Sequence, residues 1–168
     1  GKDFQFREGQ REVIEAICNH YIEDPEGTII LDAPTGSGKS LIAMWSAHVL
    51  KELGKRGYLV TSDLMLQDQY EEDFKRLKLK WPSIRGVDNY NCNVNDLPFS
   101  LADCKMKGIG YEAAEKLPCW GTCGYLQGRK RAKELPVALF NYSYYLIQRN
   151  YVEDKMQEQD REVPFPIR

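Results

Sequence analysis

Two groups of residues in this chain have types and spacing suited to chemistry. The first is "LDAPTGSGKS", residues 31–40, where an apolar run ends in an acid, turns glycine-rich and finishes on Lys39 and Ser40. Glycines let a backbone approach a phosphate closely enough for its N–H groups to point at the oxygens. A helix starting there would add the positive end of its dipole. In that setting Ala33, Pro34, Thr35, Gly36, Ser37 and Gly38 form the cradle. Lys39 neutralises β- and γ-phosphates, and Ser40 ligates Mg²⁺. The bland reading is a structural glycine-rich turn before a helix. The second group is Cys92, Cys104, Cys119 and Cys123, spaced C-x11-C-x14-C-x3-C within 32 residues. Four thiolates from one irregular segment suit a metal site, either zinc or an iron–sulfur cluster.

The flanking pattern says what positions these groups. Residues 28–33, "TIILDA", read as a short buried parallel strand, and 39–54 read as a helix ended by Gly54. A helix is expected over 6–22, a second strand over 57–62, and a helix over 63–77 with Asp63 as N-cap. Strand–helix–strand–helix implies a parallel sheet with right-handed crossovers. From about 81 to 126 Gly, Pro, Asn, Asp and Cys accumulate and periodicity is lost. A basic helix is then expected over 126–135, and strand followed by helix returns over 136–152. The expected fold is therefore α/β, a P-loop NTPase (RecA-like) parallel sheet with helices on both faces. A small irregular or helical cysteine-bearing insertion interrupts it. The parts run 1–80, 81–134 and 135–168, the last ending in a charged tail with two prolines.

Composition sets limits. With 23 Lys and Arg against 25 Asp and Glu the net charge is −2, so nucleic-acid binding has to rest on local patches. No apolar run reaches the length of a membrane span, and the polar start "GKDFQFREGQ" does not read as a signal peptide. Five cysteines, an odd number, and the intracellular look of the chain argue against a disulfide framework, and an intracellular protein without a membrane is expected. Cys18, on the apolar face of the first helix, reads as core. A short segment poor in apolar residues cannot fold on burial alone, so metal binding would supply the stability of the insertion. Zinc ribbons usually carry paired C-x2-C knuckles, which this chain lacks.

The Ala-led "APTGSGKS" resembles the phosphate loop of superfamily 2 helicases, and "FQFREGQ" upstream resembles their adenine-recognising Q-motif. By that likeness Gln10 reads the adenine edge, with Phe6 and Arg7 beside it. A helicase loop followed by a four-cysteine insertion resembles the XPD/DinG family of iron–sulfur DNA helicases. "VTSDLMLQDQY" (60–70) is similar to that family's motif Ia, and "VALFNYSYYL" (137–146) to the strand and Asn-x4-Leu element after the cluster. The resemblance covers nearly the whole chain. It implies ATP with Mg²⁺, a 4Fe–4S cluster on Cys92, Cys104, Cys119 and Cys123, and 5′ to 3′ movement on single-stranded DNA, with RNA left open. It also implies a larger helicase with a second motor domain. No apolar strand here ends in the family's Asp-Glu acid box, which follows about where the sequence stops. The chain thus reads as an N-terminal part that binds nucleotide without efficient turnover.

Basic stretches at 74–85 and 128–133 lie near Trp81, Tyr90, Trp120 and Tyr125, and such mixtures neutralise phosphates and stack on bases. By likeness the nucleic-acid candidates are Arg129, Lys130, Arg131 and Lys133, with Thr61 and Gln67 from motif Ia. A solvated basic helix face is the commoner meaning of such runs. A different class also accounts for the residues: a zinc-stabilised nucleic-acid-binding module whose phosphate loop is vestigial. A P-loop kinase with a zinc lid would need a phosphoacceptor site, and no residues nominate themselves for it.

Overall fold

The computed structural model describes residues 5–148. The expected tail and most of the last expected helix's end lie outside the described residues. The chain divides into two compact units, with the boundary between Leu59 and Val60.

The first unit is a pair of helices, α1 (Gln10–Glu23) and α2 (Lys39–Glu52). Their apolar faces meet in a core of Ile14, Cys18 and Ile42, walled by Val13, Ile17, Trp45, Val49 and Leu50. Ile14 and Cys18 are one helical turn apart and so share a face. Cys18 is core, as its place in the pattern predicts: its thiol lies 3.8 Å from the Ser46 carbonyl, and burial pushes its pKa up. The helix begins at Gln10 rather than residue 6 because Gly9 takes a left-handed conformation, φ 77°.

The strand expected over residues 28–33 is absent: that stretch carries no regular structure. Ile30 is 89% exposed. A strand exists only where a neighbouring ladder satisfies its N–H and C=O groups. Among the described residues none runs alongside this segment.

Downstream of α2 the chain forms a sheet. Strands β1 (Gly57–Thr61), β2 (Ser83–Ile84) and β3 (Val137–Asn141) form a three-stranded parallel sheet in the order β1-β3-β2. β2 pairs with β3 through Ser83–Leu139 and Ile84–Phe140. As the central strand, β3 should be apolar on both faces, and Val137, Ala138, Leu139 and Phe140 are all at most 2% exposed. Helix α3 (Leu64–Arg76) packs against β3. Its N-terminus is capped as expected, Asp63 Oδ1 accepting from the Leu66 N–H at 2.8 Å. Short helices α4 (Asp103–Met106) and α5 (Tyr111–Ala114) follow in the insertion. Then come α6 (Gly124–Glu134), against β2, and α7 (Tyr142–Ile147), against β3. The stretch between β2 and α6 otherwise holds short 3-10 helices at Val87–Asn89, Phe99–Leu101 and Trp120–Thr122, turns and an isolated Asn91–Pro98 bridge, the irregular insertion expected.

Gln67 on α3 is fully buried, and its amide donates to Ser83 Oγ at 2.7 Å and to the Ile84 carbonyl at 2.9 Å. It fastens β2, a strand of two residues, to α3. Gln67→Ala removes both bonds and leaves a cavity, so the folded state should lose about 2–4 kcal/mol in urea unfolding. A loss below about 0.5 kcal/mol, the size of a surface change, would show that β2 is held by other means.

Candidate functional site

The glycine-rich loop lies where α2 begins. Gly36 and Gly38 take φ of 81° and 88°, a left-handed backbone that side-chain-bearing residues rarely adopt. A Cβ at Gly38 would also collide with the Gln10 amide. The first turn of α2 carries no acid, so its N–H groups and dipole face an anion unopposed. Lys39 is exposed, and its ammonium donates to the carbonyls of Ala33 at 2.8 Å and Pro34 at 2.9 Å. Both acceptors belong to the loop itself, and phosphate oxygens can take their place. Ser40 is half-buried, one residue into the helix. The Ser37 hydroxyl is buried with no hydrogen-bond partner. A buried hydroxyl without a partner is costly in a finished structure, and a bound phosphate would satisfy it. The residues present therefore fit a nucleotide's phosphates.

Residues upstream of α1 reach this loop. Gln10 is buried, its Oε1 accepting from the Arg7 N–H at 3.0 Å and its Nε2 donating to the Ser37 carbonyl at 2.8 Å. The Arg7 guanidinium donates to the Gly36 carbonyl at 2.6 Å. Phe6 sits edge-on to Trp45, ring centres 5.4 Å apart. The upstream segment and the loop are thus joined through Gln10 and Arg7.

All five cysteines are free. Cys92 and Cys123 are buried, and Cys104 and Cys119 half-buried. The four of the insertion are neighbours. Burial pushes the Cys104 thiol up, and Cys92 and Cys119 add to the shift; burial likewise raises Cys123, with Cys119 and Cys104 contributing. Their side chains are not closed on a common point: among the described residues no three His, Cys, Asp or Glu are arranged to hold a metal ion. The donor set suits a thiolate centre in kind, but among the described residues it is not brought together to hold a metal ion.

The backbone around these cysteines is braced by residues that carry no sequence signal beyond adjacency. Asn93 Nδ2 donates to the Thr122 carbonyl at 2.5 Å, joining the Cys92 loop to the Cys119–Cys123 turn. Gln127 Nε2 donates to the Trp120 carbonyl at 2.8 Å, tying the same turn to α6. Beneath them Tyr125 packs against Tyr90 and Phe99, ring centres 5.4 and 4.6 Å apart.

The nucleic-acid candidates fare unevenly. Thr61 is buried, its hydroxyl donating to the Asp63 carbonyl at 3.2 Å, and Gln67 presents no surface for a contact. Both are spent inside the fold, because the segment joining β1 to α3 packs these two polar side chains inward. The Arg129 guanidinium lies 5.8 Å from the centre of the Tyr125 ring. Arg131 donates to the Lys80 carbonyl at 3.3 Å, which brings the two basic stretches together. Lys130 meets Glu134 at 3.9 Å in an exposed pair worth little. Lys133 is half-buried on the same helix.

No described helix is long and apolar enough to cross a membrane. No curated protein and no solved structure matches the chain. A family model does: the one described as type III restriction enzyme, res subunit, matches residues 3–102 of the 168. The match takes in the phosphate loop, the segment that braces it and Cys92, and ends before the other three cysteines of the insertion. With an α/β fold, a parallel sheet and a phosphate loop at the start of α2, the chain belongs to the type III restriction enzyme, res subunit family, a superfamily 2 helicase-like family of ATP-dependent nucleic-acid motors.

Proposed function

We propose that this chain is the nucleotide-binding part of an intracellular ATP-dependent DNA helicase of the XPD/DinG type, moving 5′ to 3′ on single-stranded DNA. The observation that carries the reading is the loop Ala33–Ser40, preformed at the start of α2 with an exposed Lys39 and an unpartnered Ser37 hydroxyl. In it Lys39 binds the β- and γ-phosphates of ATP, and Ser40 ligates Mg²⁺. A 4Fe–4S cluster would be held by Cys92, Cys104, Cys119 and Cys123, whose type and clustering in the sequence support it. Bound there, the cluster would supply the insertion with folding free energy that its few apolar residues do not. Lys130, Arg131 and Lys133 on α6, beside that insertion, contact the phosphates of a single strand. The second motor domain and the acid box complete the catalytic site from the remainder of the helicase.

The test is fluorescence anisotropy with a labelled single-stranded oligo-dT. Binding should strengthen as salt is lowered, and the triple substitution of Lys130, Arg131 and Lys133 by alanine should weaken it about tenfold or more. Equal binding by the triple variant would place the strand elsewhere, and no binding at low salt would sink the helicase reading of this chain.

A further inference from the structure

The cysteine-bearing insertion leaves the sheet at β2, a strand of only two residues. Arg85 comes next, and its guanidinium reaches across to α3. There it donates to Asp68 Oδ1 and, at 2.7 Å, to Glu71 Oε1. Asp68 and Glu71 lie three residues apart and so share a face of that helix. The Arg85 side chain is 23% exposed and that of Glu71 30%. A charge-assisted bond so placed is screened less than a surface pair and is worth more. Ile84, one residue earlier, is already fastened to the same helix through the Gln67 amide.

The contacts continue past Arg85 toward the cysteines. The Arg85 backbone N–H donates to the Tyr90 hydroxyl at 3.1 Å, which closes residues 85–90 into a loop. The Tyr90 ring meets Tyr125 edge-on, centres 5.4 Å apart, and a Cβ at Gly124 would lie 3.5 Å from it. Gly124 and Tyr125 open α6 directly after Cys123. Tyr90 itself stands two residues before Cys92. One tyrosine therefore joins the start of the insertion to the turn that carries its last cysteine.

We infer that Arg85 is a latch: its ion pairs with Asp68 and Glu71 dock the start of the insertion on α3, and Tyr90 passes that constraint to the turn of Cys119 and Cys123. Arg85 acts through Tyr90 and is a positioning residue. When the guanidinium is released, residues 86–123 loosen together while the sheet stays closed. The latch is made of charge, so salt weakens it as salt does not weaken an apolar contact. It needs no bound nucleotide, nucleic acid or metal.

Amide hydrogen exchange of the whole chain, read by mass spectrometry on peptides from 86–123 and on those covering β3, tests this. Arg85→Ala should speed exchange in 86–123 about tenfold or more, the worth of a charge-assisted bond, and leave β3 unchanged. Arg85→Met, which keeps an aliphatic stem and loses the charge, should do the same. Adding Glu71→Arg to Arg85→Glu should return part of the lost protection. In the unsubstituted chain, raising NaCl from about 0.05 M to about 1 M should speed exchange in the same peptides, a readout that stands even if a variant fails to fold. Equal exchange in Arg85→Met and the unsubstituted chain would show that the stem packs and the charge latches nothing. Exchange in β3 that rises as much as in 86–123 would make Arg85 a general support of the fold and overturn the inference. Indifference of 86–123 to salt would overturn it too.

Discussion

Lys39→Ala should weaken binding of ATP with Mg²⁺ by about 10- to 100-fold, the worth of a charge-assisted bond to phosphate. The side chain is exposed and its two present acceptors, the carbonyls of Ala33 and Pro34, lie in the same loop. Neither carbonyl is left buried and alone by the substitution, so the fold should keep its stability to within about 0.5 kcal/mol. The combination is diagnostic: affinity collapses while the unfolding midpoint stays in place. Calorimetric titration beside a urea melt gives both numbers. If the midpoint moves as far as the affinity, Lys39 is a structural lysine holding a turn. If the affinity does not move, the loop is a glycine-rich turn without a ligand.

If the proposed cluster is held by the four cysteines, Cys123→Ser should abolish metal binding by the insertion. Cys123 is buried, sits at the N-terminus of α6, and neighbours Cys119 and Cys104. Its N–H donates to the Cys119 carbonyl at 3.0 Å, so the two cysteines share one tight turn. Serine keeps the backbone and nearly the volume and removes the thiolate. Metal bound per chain after a challenge with chelator should fall at least about tenfold. The insertion should also lose protection against proteolysis, because metal binding in such segments is folding free energy. Cys18→Ser is the control: that thiol lies in the core between α1 and α2 and should cost stability without touching metal content. Equal metal in the Cys123 variant would detach this residue from any metal site.

Much of this was legible in the sequence, and where it was not the causes are physical. Periodicity located α1, α2, α3 and α6, and the Asp63 cap was readable because its donor, three residues on, is set by local geometry alone. The strand expected at the start of 136–152 formed, and the structure buries residues 137–140 on both faces. The same rule failed at 28–33, since an apolar run becomes a strand only if partners arrive, and partners are not written in the run. β2 was invisible because two residues carry no period; it exists through pairing with Leu139 and Phe140 and the side chain of Gln67. At the site, the phosphate loop and the four cysteines stood out by residue type and spacing. The internal contacts of Gln10, Thr61 and Gln67 did not, because a polar residue on a helix or strand looks the same whether its amide or hydroxyl faces a ligand or a neighbouring carbonyl. Asn93 and Gln127 gave no signal, as each acts through one bond to a backbone oxygen in a distant loop or turn.

The most direct measurement is the iron and acid-labile sulfide content, with an absorption spectrum, of the chain purified without oxygen. A helicase motor of the XPD/DinG type with its centre on Cys92, Cys104, Cys119 and Cys123 should carry about four irons and four sulfides per chain. One zinc and no iron would contradict that account, leaving a four-cysteine zinc module joined to a superfamily 2 phosphate loop.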